Sequence, residues 1–290
     1  MDFLFGGGGG RGKELGQNSG ILTAQKNHWG EKNALIIDMG SRPFNVYREL
    51  GILKKENIKH VVFHFTHFHA DHFDPKSIAK FTQYCQLNDI KYSFIHTFDD
   101  QHFVKLLKEL SANECLGQSK NRIEREHIIV PATVAEMLHV KKIQFAPVAH
   151  HRGKKRKWLT DPMLQCQAME ITALDGKKTA FATDHADPDY LTQIVHDDSF
   201  EKIYTDCTDL PRDIACHHIS FAEVSSIVPP ERRADVTLMH SPIGVVKMAR
   251  DGGFQTVADR LLYNQPQYSH LAAQFNHTQH FKKPAEKEQQ

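Results

Sequence analysis

The 290-residue sequence has no apolar run of 18 or more residues, so nothing in it predicts a membrane-spanning helix. Its first residues, MDFLFGGGGGRG, contain too short an apolar stretch for a secretory signal, and we expect a cytoplasmic protein. The five cysteines are scattered and never form a C-x-x-C pair, which indicates reduced thiols. A net charge of only +1 gives no general attraction to nucleic acid or to a membrane.

Histidine, by contrast, is abundant, with 20 residues, and it is concentrated in the segment His64–Asp74, HFTHFHADHFD. Alternate residues of an extended segment point the same way, so His67 and His69 can hold one ion. Asp71 and His72 follow where the strand should turn, and they can reach a second ion. Imidazole and carboxylate ligands suit Zn²⁺ best, and also Mn²⁺ or Fe²⁺. The alternative, a chance set of surface histidines, explains such a dense spacing poorly.

Two ions need further ligands, and the sequence offers them at the ends of other apolar strands. His150 and His151 end QFAPV, Asp184 ends TAFAT, and His240 ends VTLM. Any one of these residues alone is more typical of an ordinary loop. If the strand ends meet at one edge of a sheet, however, their side chains can complete a metal site there.

Strand and helix patterns alternate along much of the chain, so we expect helices packed outside sheets. Asp74 and Pro75 indicate a helix start, because proline favours the first helical position. The segment CQAMEITALDGKKTAFATDH predicts a β-hairpin with Asp175-Gly176 as its turn. No composition change marks a linker before the polar tail, so we predict one domain over residues 1–264 and a frayed tail over 265–290.

The order H-x-H-x-D-H, a lone histidine, an aspartate and a final histidine resembles the metallo-β-lactamase superfamily. The resemblance runs from Met1 to about Pro242 and includes the glycine-rich first loop and LIIDMG before the motif. It implies an α+β fold, the four-layer αββα sandwich, with the metals along one edge. It also implies the metal ligands: His67, His69 and His150 for one ion, Asp71, His72 and His240 for the other, and Asp184 as the bridge.

Three features narrow the function within this superfamily. His69 stands where oxygen-reducing diiron relatives carry glutamate, and the secretory signal expected of antibiotic-hydrolysing relatives is absent. The segment DCTDLPRDIACHHISFAEV resembles the phosphodiesterase branch, which includes tRNA 3′-processing endonucleases and small cyclic-phosphate diesterases. That resemblance implies that His218 contacts phosphate, and Ser220 is expected to cap the following helix. The alternative is that His217 and His218 are only polar residues before the helix.

The size of the expected substrate follows from a departure from that branch. The tRNA-processing enzymes carry a long arm between the lone histidine and the bridging aspartate, whereas here 33 residues separate His150 from Asp184. We therefore expect a small substrate. The basic run Arg152–Lys157 is typical of a solvated loop but can also attract phosphate. Residues 75–145 are longer than a minimal member needs, and we interpret them as an insertion that walls the substrate site.

The sequence thus predicts a hydrolase with two divalent metal ions that activate water on a small nucleotide or cyclic phosphate. We expect catalytic roles for His218, Asp71 and Asp184, and Asp38 as an acceptor that fixes the tautomer of a ligand histidine. A carboxyl-ester, thioester or lactone hydrolase, a tRNA 3′-processing endonuclease and a non-enzymatic binding protein are the alternatives. No membrane partner is expected, nucleic acid is less favoured than a small phosphorylated substrate, and analogy with relatives suggests a homodimer.

Overall fold

The computed structural model describes residues 3–7, 19–23, 31–40, 43–69, 71–95, 128–150, 166–211, 218–239, 243–261 and 266. Their strands form two six-stranded sheets, one from each half of the chain. The first sheet runs in sequence order, antiparallel from β1 to β3 and parallel from β3 to β6. Its strands are β1 (Leu4–Gly7), β2 (Ser19–Thr23), β3 (Lys32–Ile37), β4 (Ile58–His64), β5 (Lys91–Ile95) and β6 (Ile128–Ile129).

The second sheet repeats this arrangement. Its first three strands are antiparallel to one another, and each later strand is parallel to its predecessor, up to β12. The strands are β7 (Lys142–Val148), β8 (Cys166–Thr172), β9 (Lys178–Ala182), β10 (Phe200–Asp206), β11 (Val236–Met239) and β12 (Gln255–Thr256). Because parallel strands end at the same edge, the loops after β3, β4, β9 and β10 are available to build one site.

The two sheets face each other across an aromatic core. The ring of Phe3 lies 5.2 Å from that of Phe181 and 5.1 Å from that of Tyr204, and the Tyr204 hydroxyl accepts the Phe3 N–H at 3.0 Å. These contacts join the first sheet to β9 and β10 and bury apolar surface, which is the main favourable term in folding.

Helices cover the outer face of each sheet. On the first sheet, α3 (Pro75–Leu87) inserts Phe81 against Phe63 of β4 with 5.3 Å between ring centroids. On the second, Leu191, Val224 and Val245 are fully buried in a separate cluster beneath three helices. The αββα sandwich is therefore confirmed. The helices are α1 (Pro43–Leu50), α2 (Ile52–Lys55), α3 (Pro75–Leu87), α4 (Pro131–Met137), α5 (Pro188–Val195), α6 (Phe221–Ile227) and α7 (Ile243–Asp251).

Local sequence signals set several element ends as predicted. Asp74 caps α3, its carboxylate accepting the Ser77 N–H at 3.2 Å, and Pro75 is the first helical residue. Ser220 caps α6 in a capping box with Glu223. The β8–β9 hairpin is present, and Gly176 in its loop adopts φ 89°, a backbone conformation that glycine tolerates best.

The interpretation of residues 75–145 as a substrate-walling insertion is wrong for the part of that range that the structure describes. Helix α3, strands β5 and β6, helix α4 and the start of β7 are framework, since they extend the first sheet and begin the second. Gly6 and Gly7 belong to β1, whereas Gly8–Gly10, the basic run Arg152–Lys157 and all of the tail except Pro266 lie outside the described residues. No helix within the described ranges has the length and apolarity to cross a bilayer.

Candidate metal centre

The histidine motif is held against the end of β3 by backbone hydrogen bonds. Met39 N–H donates to the His72 carbonyl at 2.6 Å, and Asp74 N–H donates to the Met39 carbonyl at 2.8 Å. A tight turn, in which His72 N–H and Phe73 N–H both donate to the His69 carbonyl, reverses the chain between the two halves of the motif. The apolar strand β4 thus delivers the motif to the sheet edge, and the turn directs its side chains to one point.

Asp38 fixes the orientation of two histidines at once. Its carboxylate accepts from His72 Nδ1 at 2.7 Å, which is the contact predicted for it, and from the Thr66 hydroxyl at 2.8 Å. Because the Thr66 proton is committed to Asp38, the Thr66 oxygen can accept from His67 Nδ1, which lies 3.1 Å away. Both rings then turn Nε2 toward the site, where the nitrogen can bind a metal ion once it carries no proton.

Asp184 lies at the centre of the site. Its Oδ2 is 3.2 Å from His67 Nε2 and 3.3 Å from His72 Nε2, and its Oδ1 is 3.8 Å from His218 Nδ1. The residue follows β9 and adopts φ 49°, while Asp38 after β3 adopts φ 57°. Left-handed backbone is costly for a residue with a Cβ and tends to occur at functional sites, although aspartate tolerates it better than most residues.

His150 joins the site from the loop after β7. Its Nδ1 donates to the Asp184 carbonyl at 2.5 Å, which leaves Nε2 on the side of His67 and His69. The His150 ring centroid lies 5.0 Å from that of His67 and 4.8 Å from that of His69. A further backbone bond, from Ala186 N–H to the Ala149 carbonyl at 2.7 Å, ties the loops after β7 and β9 together.

The donor atoms form overlapping groups in which all ligand atoms lie within 4.8 Å of one another. Among the described residues Asp184 belongs to each group, so its position suits a bridging donor. The chemistry fits divalent Zn²⁺, Mn²⁺ or Fe²⁺, because every group combines imidazole with carboxylate. The groups are His67, His69, His150 and Asp184; Asp71, His72 and Asp184; and Asp184, Asp206 and His218.

The electrostatics of the site separate two kinds of histidine. Burial lowers the pKa of His67, and it lowers the pKa of His69 to about 4 and that of His150 to about 3, so these rings are neutral and can donate lone pairs at pH 7. Burial also opposes a charge on His72, but the carboxylates of Asp184 and Asp38 raise its pKa well above the ordinary value. The position between those carboxylates therefore favours a positive charge.

His218 stands beside the donors and is paired with a second buried acid. Its Nδ1 lies 2.7 Å from Asp206 Oδ2, at the end of β10. Burial alone would lower the pKa of His218, yet the Asp206 carboxylate raises it to about 9. At neutral pH the ring is therefore a cation, and it lies at the edge of the metal-donor groups.

The structure brings together most of the residues singled out in the sequence. His67, His69, Asp71, His72, His150, Asp184 and His218 lie in the groups described above, whereas His151, His217 and His240 lie outside the described residues. Asp206 and Thr66 were missed. Asp206 ends the apolar strand KIYTD, so the strand-end rule that selected Asp184 also applied to it. Thr66 lies inside the motif but gives no signal of its own.

A family model described as anti-Pycsar protein Apyc1 matches residues 2–263. The chain belongs to the anti-Pycsar Apyc1 family. This assignment agrees with the predicted phosphodiesterase branch of the metallo-β-lactamase superfamily, and with the site geometry it identifies this Apyc1-family chain as a metal-dependent hydrolase. A search of curated proteins gives no match for this chain.

One solved structure supports the fold of this Apyc1-family chain, and a second is more distantly similar. The metallo-β-lactamase fold protein YhfI from Bacillus subtilis is 15% identical with a TM-score of 0.55, over 88% of this chain and 93% of its own. An isothiocyanate hydrolase from Delia radicum gut bacteria is 14% identical with a TM-score of 0.45, over 86% and 94%. At these identities the YhfI similarity establishes the fold, and the substrate has to be argued from the site.

Proposed function

We propose that the protein hydrolyses the phosphodiester bond of a small cyclic nucleotide with the help of two divalent metal ions. One observation carries the proposal: His218, with its Nδ1 2.7 Å from Asp206 Oδ2, stands within 4 Å of the central carboxylate of a metal-donor cluster. The Asp206 carboxylate favours the cationic form of its ring. Carboxyl esters and lactones carry no charge that would need this cation. A phosphodiester carries a negative charge in the ground state and develops more on its leaving oxygen.

The metal ions are assigned by the donor chemistry. His67, His69 and His150 would hold one ion, Asp71 and His72 would help to hold the other, and Asp184 would contact both. Zn²⁺ is the first choice for this donor set, with Mn²⁺ or Fe²⁺ as alternatives. When bound, such a pair lowers the pKa of water toward ~7 and offsets negative charge on phosphoryl oxygens.

The protein's own groups would supply the remaining steps. Asp38 and Thr66 hold His72 and His67 in single tautomers, so these ligands need no reorganisation when substrate arrives. His218 would bind a phosphoryl oxygen and pass a proton to the leaving oxygen, and Asp206 would stabilise the imidazolium before that transfer. A positioned acid of this kind accelerates proton transfer by roughly 10²–10⁴-fold.

Two observations support the substrate class: the family to which the chain belongs, and the β8–β9 hairpin. The anti-Pycsar Apyc1 family is one of cyclic nucleotide-degrading proteins, which supports a nucleotide as the phosphoryl carrier. The β8–β9 hairpin accounts for residues 166–182 of the interval in which tRNA-processing relatives carry an arm. We therefore favour a small phosphorylated substrate over tRNA.

The proposal is tested by a substrate panel assayed with added Zn²⁺ or Mn²⁺. The panel contains 3′,5′- and 2′,3′-cyclic nucleotides, bis(p-nitrophenyl) phosphate, a tRNA precursor, a thioester and a lactone. We expect cyclic nucleotides to be opened to monoesters, with Asp71→Ala protein purified in parallel as the inactive control. Turnover of the thioester or lactone without any phosphodiester hydrolysis would show that the proposed function is wrong.

A further inference from the structure

A groove of about 520 Å³ lies between α6, α7 and the segment that follows β10. Its apolar wall comprises Leu210, Pro211, Phe221, Ala222 and Met248, and Asp209 adds a carboxylate. Leu210 is 45% exposed and Met248 is 37% exposed. Single exposed apolar residues need no explanation, but two that line one groove beside a candidate active site suggest an occupant.

The groove is joined to the metal centre by the chain itself. Asp206 and His218, which contact each other at the centre, each lead into a groove wall three residues later, at Asp209 and Phe221. Between these points the two segments pair, with Thr208 N–H donating to the Ile219 carbonyl at 3.0 Å and Phe221 N–H donating to the Thr208 carbonyl at 2.8 Å. Three residues of extended chain span at most about 11 Å, which is comparable with the length of a nucleoside.

The lining has the chemistry that a nucleoside requires. The Phe221 ring is partly exposed and is held edge-on against Phe254 with 5.9 Å between centroids, so it offers a fixed aromatic surface to a base. Glu223 is engaged in the α6 capping box, where it accepts from Ser220 N–H at 3.1 Å and the Ser220 hydroxyl at 2.8 Å. Asp209 is exposed on the wall and can accept hydrogen bonds from ribose hydroxyls or base N–H groups.

The two carboxylates also make the groove unfavourable for a phosphate group. Asp209 and Glu223 give the groove negative charge, which repels a phosphate and leaves a neutral sugar and base as the favoured occupant. We propose that this groove is the subsite for the nucleoside portion of the substrate, with its phosphate at the metal centre. The inference rests on the proposed function and adds the location of substrate selectivity to it.

The test uses a substitution that fills the groove and leaves the residues of the metal centre unchanged. Ala222 is exposed at the second position of α6, and Ala132 is exposed at the second position of α4, so Ala222→Trp and Ala132→Trp form a matched pair. Ala222→Trp should raise KM for a 3′,5′-cyclic nucleotide roughly tenfold or more, the usual effect of changing a ligand pocket. It should leave kcat/KM for bis(p-nitrophenyl) phosphate, which has no base, within about twofold of the wild-type value. Ala132→Trp should change neither.

A second variant guards against a folding defect. Met248→Ser removes an apolar contact without adding bulk, and Leu87→Ser, at a residue that is 78% exposed elsewhere, is its control. Met248→Ser should also raise KM for the cyclic nucleotide only. An unchanged cyclic-nucleotide KM in both groove variants would overturn the subsite, and so would a change of oligomeric state in Ala222→Trp without a change in KM.

Calorimetry separates this inference from the function on which it rests. A purine and a pyrimidine nucleoside, titrated into wild-type protein and into both groove variants, report on the groove without any chemistry. If wild-type protein binds a nucleoside and Ala222→Trp does not, the subsite is supported even where no phosphodiester is turned over. If wild-type protein hydrolyses cyclic nucleotides while both groove variants bind nucleoside normally, the proposed function survives and the subsite is wrong.

Discussion

The two halves of the molecule use the same strand arrangement in different ways. In each sheet three antiparallel strands are followed by parallel ones, and an aspartate in left-handed conformation directly follows the third strand (Asp38) or lies one residue beyond it (Asp184). In the first half Asp38 stands behind the metal donors and orients them. In the second half Asp184 stands among the donors, within 3.3 Å of two histidine nitrogens.

The loops after β4 and β10, the fourth strand of each sheet, also differ in the residues that they bring to the site. The loop after β4 carries a contiguous motif, so its donors come from one short segment of chain. The loop after β10 leads from Asp206 to His218, which contact each other at 2.7 Å and form a donor group only together with Asp184. Under the proposed function, the first half would mainly bind metal, and the second half would bridge the ions and supply the proton.

The largest expected effect comes from removing the residue that joins the two halves. Asp184→Ala should lower phosphodiesterase kcat/KM by about 10³-fold or more, because the donor that the three groups of described residues share is lost. Bound metal, measured by elemental analysis after purification without chelator, should fall from about two ions per chain. Asp198→Ala, at a fully exposed carboxylate, is the control and should retain both metal and activity.

The second effect tests whether the second half handles the proton. His218→Ala should keep both metals and the fold but lower phosphodiester turnover by roughly 10²–10⁴-fold, since the acid is lost while the donors remain. Metal analysis and kcat are measured together, with His196→Ala at the exposed end of α5 as the control. Loss of metal in His218→Ala would make His218 a ligand, in the group that it forms with Asp184 and Asp206.

The third effect concerns the supporting aspartate of the first half. Asp38→Asn should weaken metal affinity by about 10–100-fold, because His72 and Thr66 lose the carboxylate that orients them. Activity should recover when metal is added in excess, which titration with Zn²⁺ or Mn²⁺ checks directly. If activity stays low at saturating metal, Asp38 has a role beyond orientation, and the contrast between the two aspartates is weaker than the geometry suggests.

The substitution expected to change activity least at pH 7 is His64→Leu, at the end of β4. The side chain is fully buried against Phe145, and among the described residues neither ring nitrogen has a hydrogen-bond partner. Burial lowers its pKa from 6.5 to about 4, with partial opposition from Asp38. Below pH 6.5 His64 becomes protonated in the unfolded chain, whereas in the folded protein it stays neutral until the pH nears 4. The free energy of unfolding should therefore fall as the pH drops toward 4.

The contribution of His64 to that loss is about 3 kcal/mol between pH 7 and pH 4. Urea unfolding of chelator-treated protein at both pH values measures it, and His64→Leu should show a loss that is smaller by this amount. Chelator treatment keeps acid release of metal from the site out of the comparison. Equal losses in the two proteins would mean that His64 is protonated in the folded state well above pH 4.

Much of the framework could be predicted from short stretches of sequence. Asp74, Pro75 and the spacing of Ile78, Phe81 and Cys85 predict α3, and Asp175-Gly176 predicts the β8–β9 hairpin, because capping, proline and turn preferences act over a few residues. The role of residues 75–145 was misread, since a run of strands and helices does not reveal by itself that its strands complete a sheet. Asp206 ends an apolar strand as Asp184 nearly does, but its pairing with His218, 12 residues further along the chain, exists only in the folded structure.

The sequence by itself determined the elements, the donor types and the side of a strand on which His67 and His69 lie, because these depend on local propensity and on the two-residue period of an extended chain. The family resemblance implied how the donors divide between two ions, but only the tertiary structure showed which described donors lie within 4.8 Å of one another and that Asp206 holds His218. These facts depend on contacts between strand ends that are far apart in the chain, and burial of the aromatic core holds the two sheets face to face so that these ends meet.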